Sequence, residues 1–229
     1  MSDSSGSDSK NQVKPALNFF ACLGLAPSLV LDKDTLTQHF HDRQRALHPD
    51  RWTKSNHSPL EQLAAILLSA NLNQAYQCLK MPEPRALHWL HLHGLDAKNQ
   101  MTSKGERINL PPERLMQHLE WREKTQVRIT STTSNTQTSS LSENLRDELR
   151  TAHQQAWQIF VAQAQAWQGA QSSVPTSPTT AHTTNTQPQE DQEDDQKECQ
   201  ERVVLLCFQD FCFFNRLCSS LDLTSSNLI

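Results

Sequence analysis

Packing in a hydrophobic core gives little explanation for the residue types of one tripeptide in this chain, His48-Pro49-Asp50. An apolar pattern of helical period that carries Arg43 and Arg45 leads into it, and a second long helical pattern follows Arg51. Two polar side chains and a rigid ring at the tip of a helical hairpin add little to a hydrophobic core, so we expect them to be presented as a contact point. The alternative is an ordinary turn, because Pro and Asp favour turns for steric and hydrogen-bonding reasons.

The six cysteines are the other residues whose chemistry needs an interpretation. None belongs to a Cys-x-x-Cys pair, whereas zinc and cluster sites normally use short, paired ligand spacings. Cys207, Cys212 and Cys218 lie in an apolar stretch of helical character, where cysteine behaves as a small buried hydrophobe. We therefore predict buried thiols, with no metal site and no cofactor. Metal-dependent chemistry at these three cysteines stays open as a hypothesis of the enzyme class.

Composition limits the remaining possibilities. The 229 residues suggest one or two domains, and a net charge of −4 disfavours a nucleic-acid-binding surface, which is usually basic. No uninterrupted apolar run reaches the roughly 18–20 residues of a membrane-spanning helix. The first ten residues are polar and do not resemble a secretory or import signal. We expect a cytoplasmic protein that binds neither nucleic acid nor membrane.

Four helices are predicted in the first half, after a disordered tail at residues 1–15. Asp32 or Asp34 can accept hydrogen bonds from the free N–H groups of the second helix, and Pro49 ends that helix. Ser58 is placed to cap the third, with Pro59 at its first position. The four helices are expected at residues 16–23, about 33–48, 60–80 and 85–93. Apolar and small residues recur at helical intervals along the third: Leu60, Leu63, Ala64, Leu67, Ala70, Asn71, Ala75 and Cys78.

The second half predicts three more helices after a polar linker at residues 95–111. One begins at Pro112, a long amphipathic one carries Leu145 to Trp167, and the last begins near Val203. The run Val203–Phe208 could be a strand by itself, but the continuing period near 3.5 favours a helix. Low-complexity insertions are expected at 130–140 and 171–198. The predicted fold is all-α, with a helical module at 16–94 and an antiparallel three-helix bundle at 112–222.

The first module resembles a J domain, in which an antiparallel helical pair carries His-Pro-Asp at its tip. The whole chain resembles, more narrowly, the HscB family of co-chaperones for iron–sulfur cluster assembly. The segments that carry this resemblance are Asn18–Phe20, Leu23–Leu25, Arg45–Trp52, Glu61–Ala65, Leu72–Tyr76, Arg85–Ala86, Leu90–Gly94, Leu115–Glu123 and, more loosely, Phe213–Leu217. The Ser/Thr/Gln-rich insertions and the Cys/Phe-rich last helix depart from the family pattern.

The resemblance implies that the His-Pro-Asp loop contacts a DnaK-type or HscA-type ATPase. In such a contact, Asp50 would accept a charge-assisted hydrogen bond from an arginine of the partner, and Pro49 would reduce the entropy lost on docking. His48 would supply a polar ring. Three arginines would steer an acidic partner surface, although alone they would be interpreted as a solvated helix face. They are Arg43, Arg45 and Arg51.

The resemblance also implies a patch that binds an IscU-type scaffold protein. Its residues would be Leu115, Met116, Leu119, Glu120 and Glu123, with Phe213 from the last helix. Met and Phe provide adaptable and large apolar contacts. The alternative is that Leu115 and Leu119 pack into the bundle.

The expected function is therefore that of a co-chaperone, an ATPase activator and not an enzyme, that delivers the scaffold protein to its chaperone. The rival is a general J-domain protein whose second half binds unfolded polypeptides. A broad apolar groove on the bundle would favour that rival, and a compact patch at Leu115, Met116 and Leu119 would favour the scaffold-binding function.

Overall fold

The structure, a computed structural model, describes residues 17–47, 58–130, 143–172 and 188–223. Within these ranges the chain forms seven α-helices, which confirms the all-α prediction. The helices are α1 (Phe19–Leu23), α2 (Lys33–Leu47), α3 (Pro59–Lys80), α4 (Pro82–Leu92), α5 (Pro112–Thr130), α6 (Glu143–Ser172) and α7 (Pro188–Ser220). The predicted tail at residues 1–15, the loop residues His48, Pro49, Asp50 and Arg51, and the part of the first insertion after Thr130 lie outside the described residues.

Hydrogen bonding at the helix starts follows the sequence signals. The Asp32 carboxylate accepts the Thr35 N–H at 2.8 Å at the start of α2. Ser58 and Glu61 form a reciprocal capping box on α3, with Pro59 at the first helical position. The fourth helix begins at Pro82 and not at Arg85 as predicted, because prolines are tolerated in a first turn, where the N–H has no intrahelical partner.

The first three helices and α4 enclose an apolar core around Phe20, Leu36 and Leu79. Phe40 stacks on Tyr76, with ring centroids 4.3 Å apart, which pairs the middle of α2 with the end of α3. The buried face of α3 is formed by Ala65, Leu72, Ala75 and Leu79. In the first half of α3 the large apolar side chains are exposed. These exposed residues are Leu60, Leu63, Ile66, Leu67 and Leu68.

The second half is an antiparallel bundle, as predicted. Phe160 packs against Phe208 and Leu149 lies near Cys218, so α6 and α7 run in opposite directions. The α7 helix begins at Pro188, well before the predicted start near Val203 and inside the segment predicted as an insertion. Acidic residues are favourable at a helix N-terminus, which allows this acidic stretch to be helical without a core of its own.

The two halves of the chain share one apolar core. Trp89 of α4 meets Trp167 of α6 edge to face, with ring centroids 6.0 Å apart. Arg85, which is only 2% exposed, places its guanidinium 5.8 Å from the Trp157 ring centre and donates to the Leu79 carbonyl at 3.1 Å. Burial lowers the pKa of Arg85 to about 10. The predicted division near residue 94 stays a prediction, and these side-chain contacts cross it.

The linker between α4 and α5 is anchored by a buried carboxylate. Glu201 of α7, 1% exposed, accepts the Ser103 backbone N–H at 3.0 Å and also the Ser103 hydroxyl. Leu95 and Ile108 insert into the core at the two ends of this segment. The linker predicted as polar therefore contributes both apolar and hydrogen-bonded contacts to the fold.

One segment of α7, Asp195–Ser220, is long and apolar enough to cross a membrane by length and composition. Its side chains Val204, Phe208 and Phe211 are buried in the bundle core. One such helix is weak evidence for a membrane span, because core helices of soluble proteins can have the same length and composition.

We expect Glu201→Ala to lower the free energy of unfolding by about 2–3 kcal/mol, because it removes a buried carboxylate that accepts hydrogen bonds from both the N–H and the hydroxyl of Ser103. Ser103→Ala keeps that backbone bond and should cost only about 1 kcal/mol. Urea denaturation of both variants checks this. A Glu201→Ala variant within about 0.5 kcal/mol of wild type would contradict it.

Acid is expected to weaken the fold through two histidines. His88 Nε2 accepts the Phe19 N–H at 3.0 Å, and buried His153 stacks on Phe211. Burial holds the pKa of both below the ordinary 6.5. Below pH 6.5 the unfolded chain therefore binds protons that the folded chain does not, and the free energy of unfolding should fall by about 1–3 kcal/mol between pH 7.5 and 5.5.

Urea denaturation at the two pH values measures this dependence. His153→Phe keeps an aromatic ring against Phe211 but cannot bind a proton, so this variant should lose less stability on acidification than wild type. Equal losses in wild type and variant would exclude His153 as a source of the pH dependence.

Candidate functional site

The first predicted contact region is the α2–α3 hairpin. Its four loop residues His48, Pro49, Asp50 and Arg51 lie outside the described residues, so their roles stay predictions. Arg43 shares the α2 face of Leu36 and Phe40, and its guanidinium lies against Gly24 at the end of α1. A Cβ at Gly24 would be 2.5 Å from Arg43 Nη2, the flexible end of a side chain, and the φ of 70° at Gly24 is a left-handed conformation that favours glycine.

Arg45 is exposed in the last turn of α2, where a cation suits the helix dipole. Two residues apart on a helix are separated by about 200°, so Arg43 and Arg45 point to different sides. The structure therefore places the two cations in the last turns of α2, close to the loop along the chain, without joining them into one patch.

The second predicted region is the exposed face of α5. Leu115, Met116 and Leu119 are 49, 60 and 51% exposed, and we call them the α5 strip. Glu120 and Glu123 are exposed on the same side of the helix. The alternative that Leu115 and Leu119 pack into the bundle is excluded by this exposure.

The opposite face of α5 is fixed to α7 by one carboxylate. Asp210 forms a short ion pair with Arg114 and accepts a hydrogen bond from His118 Nε2 at 3.0 Å. Burial lowers the pKa of His118, and the Asp210 charge offsets this only in part. His118 is therefore a neutral ring near pH 7, and its N–H donates to Asp210.

Phe213 lies beside the strip without joining it. Its ring stacks on His118 with centroids 3.9 Å apart and planes 3° apart. His118 comes one residue before Leu119 and three after Leu115, on the side of α5 that turns toward α7. The structure thus brings five of the six predicted scaffold-binding residues onto one helix face, and places Phe213 at its border.

A cavity of about 670 Å³ opens next to Phe213, and we call it the α5–α7 groove. Its walls come from α4, the linker, α5 and α7. The charged residues in these walls are Glu83, Lys98, Arg122 and Arg216, and the neutral ring of His118 also lines them. The apolar wall is formed by side chains that include Leu87, Leu110 and Leu217.

The last three cysteines are buried, as predicted. Burial raises the pKa of the Cys207 and Cys212 thiols, and raises that of Cys218 to about 11. These thiols are therefore protonated near pH 7 and are poor metal ligands. In the described ranges, no three His, Cys, Asp or Glu side chains lie close enough to hold a metal ion.

Sequence reasoning missed the residues that hold the strip in place. Arg114, His118, Trp121 and Thr125 follow one another at helical intervals on α5, which is the signal that a second, inward face exists. The partner on α7, Asp210, has no such signal, because nothing in the sequence aligns one helix with the other.

The chain is similar to two curated proteins named co-chaperone protein HscB homolog. It is 36% identical over 107 residues to that of Shewanella loihica, covering 47% of this chain and 58% of the relative. It is 31% identical over 131 residues to that of Shewanella woodyi, covering 57% of this chain and 71% of the relative. No model of a known protein family matches the chain.

Among solved structures, the chaperone HscB from Vibrio cholerae aligns with a TM-score of 0.58 at 22% identity. The alignment covers 90% of this chain and 96% of the other. At that identity the similarity shows the fold alone, namely the helical module followed by the helical bundle.

Proposed function

The chain belongs to the HscB co-chaperone family, and on that premise we propose that it is an adaptor in iron–sulfur cluster assembly. It stimulates the ATPase of an HscA/DnaK-type chaperone through the His-Pro-Asp loop. Through the α5 strip it delivers an IscU-type scaffold protein to that chaperone. The protein itself is not an enzyme, because the ATP is hydrolysed on the partner.

The α5 strip is the observation that carries the proposal. Three large apolar side chains lie about half exposed on one turn of a helix whose opposite face is fixed by Asp210. A rigid helix presents such a patch without the entropy cost of ordering it, and large apolar anchors dominate binding energy at interfaces.

The compactness of the strip favours a specific partner over unfolded polypeptides. Elsewhere on the described bundle helices, the large apolar side chain that is similarly exposed is Ile159 of α6, and it is isolated. A groove for unfolded chains would need a broad apolar surface, which these helices do not present. The general J-domain function, with a second half that binds unfolded polypeptides, remains the second candidate.

This chain would couple the scaffold to the chaperone because it binds both proteins at once. Holding the scaffold next to the chaperone raises their effective concentration for each other. Contact through Asp50 and its neighbours would shift the conformational equilibrium of the chaperone toward its hydrolysing state. The chaperone cycle would then weaken the binding of the cluster by the scaffold. All three proteins would act in the cytoplasm.

We expect His48→Gln to lower chaperone stimulation by about tenfold or more, because a loop residue at the centre of a small contact contributes a large share of its energy. The Kd for the scaffold should not change, since the strip is on another helix. Steady-state ATP turnover of a purified HscA-type chaperone, with and without scaffold, measures the first effect. His41→Gln, at an exposed position of α2, is the matched control and should stimulate like wild type. Stimulation by His48→Gln at the wild-type level would exclude the loop as the contact.

Replacing the strip by alanine should have the converse effect. Leu115→Ala, Met116→Ala and Leu119→Ala together should weaken scaffold binding by about 100-fold, because they remove the apolar anchors of the interface. Stimulation in the absence of scaffold should persist. Calorimetric titration checks this, with Ile159→Ala as the control for loss of an exposed apolar residue. Unchanged scaffold affinity in the triple variant would move the binding site elsewhere.

A further inference from the structure

The α5–α7 groove carries an excess of positive charge. Lys98 from the linker, Arg122 from α5 and Arg216 from α7 all line it, against the single carboxylate of Glu83. All three cations are exposed, so their charge is available to a bound molecule. The groove is therefore suited to a negatively charged ligand.

The carboxylates nearest the groove are already engaged within the chain. Glu83 accepts a hydrogen bond from Asn215 Nδ2 at 2.5 Å, and Asp210 is bound by Arg114 and His118. Within the described ranges, Lys98, Arg122 and Arg216 form no salt bridge, whereas Arg114 and Arg202 do. The cationic character of the groove is thus not neutralised by the described residues.

The groove is continuous with the α5 strip. Arg122 follows Leu115 by seven residues and Leu119 by three, so it lies on the edge of the strip that turns toward α7. Glu120 follows Met116 by four residues and lies on the opposite edge. An apolar strip with a cationic groove on one side and carboxylates on the other selects both a partner and its orientation.

We infer that the α5–α7 groove receives an acidic segment of the scaffold protein while the strip holds its apolar surface. This inference rests on the proposed function, because it assigns the scaffold as occupant. An aspartate or glutamate side chain enters between Arg122 and Arg216, and a neighbouring apolar residue packs on the Leu217 side of the groove. The scaffold surface that meets Glu120 is correspondingly basic.

The test is scaffold binding by the double variant Arg122→Glu and Arg216→Glu in the full-length chain. Calorimetric titration at 50 and 300 mM salt should give a loss of affinity of about tenfold or more at low salt, and a weaker salt dependence than wild type. The control is Lys33→Glu with Lys197→Glu, which changes the charge equally at two exposed positions. Lys197 lies about 28 Å from Arg216 along α7. Control affinity should stay within about twofold of wild type.

The milder double variant Arg122→Gln and Arg216→Gln keeps the test valid if charge reversal disturbs folding. It should lose about threefold in affinity, and thermal unfolding followed by circular dichroism verifies the fold of every variant. Individual Asp or Glu→Lys changes in the scaffold provide the decisive readout. One of them should weaken binding to wild type and restore binding to the Arg122→Glu, Arg216→Glu variant.

The outcomes separate the two proposals. Scaffold binding by wild type with unchanged affinity in both double variants overturns the acidic-segment assignment and leaves the adaptor function intact. No scaffold binding by wild type overturns both. Sedimentation velocity without scaffold tests the remaining occupant. If wild type dimerises and the Arg122→Glu, Arg216→Glu variant is monomeric, the groove receives a second copy of this chain and the assignment is wrong.

Discussion

The packing of α7 against α6 determines which face of α5 is exposed to solvent. Phe208 and Phe211 face α6, where they meet Phe160 and Trp157. Because successive residues of a helix are rotated by 100°, this packing directs Asp210 and Phe213 toward α5. An aromatic core interaction between two helices thus decides the orientation of a third helix, and with it which of its faces meets solvent.

The sequence predicted the elements of the fold well where a local signal exists. The hydrogen bonds of Asp32 and Ser58, and the start of α5 at Pro112, depend on residues within one turn of each other. The apolar pattern alone does not show which face of α3 is buried in its first half. That helix carries apolar residues on two sides, and alanines such as Ala65 and Ala75 face the core, where their small side chains allow close packing. The helical period does not show which of two apolar faces is buried when the face with the larger side chains is the exposed one.

The candidate site shows the same division between local and non-local information. Leu115, Met116 and Leu119 were recognised by their order along the chain, yet their exposure is decided by Asp210, almost a hundred residues later. The α5–α7 groove has no sequence signature at all, because four separate segments build it. The early start of α7 at Pro188 was missed for a related reason: the sequence of its first turns is polar and acidic, so it lacks the apolar pattern by which helices are recognised.

The core shared between the two halves affects how the protein unfolds. Trp89 and Trp167 meet across the boundary, and Arg85 lies buried against Trp157. Elements joined through buried contacts tend to open together, as one cooperative unit. A destabilising substitution in either half is therefore expected to unfold the other half as well. A cell would then contain the fully folded protein or the unfolded chain, and no molecules with only one folded half.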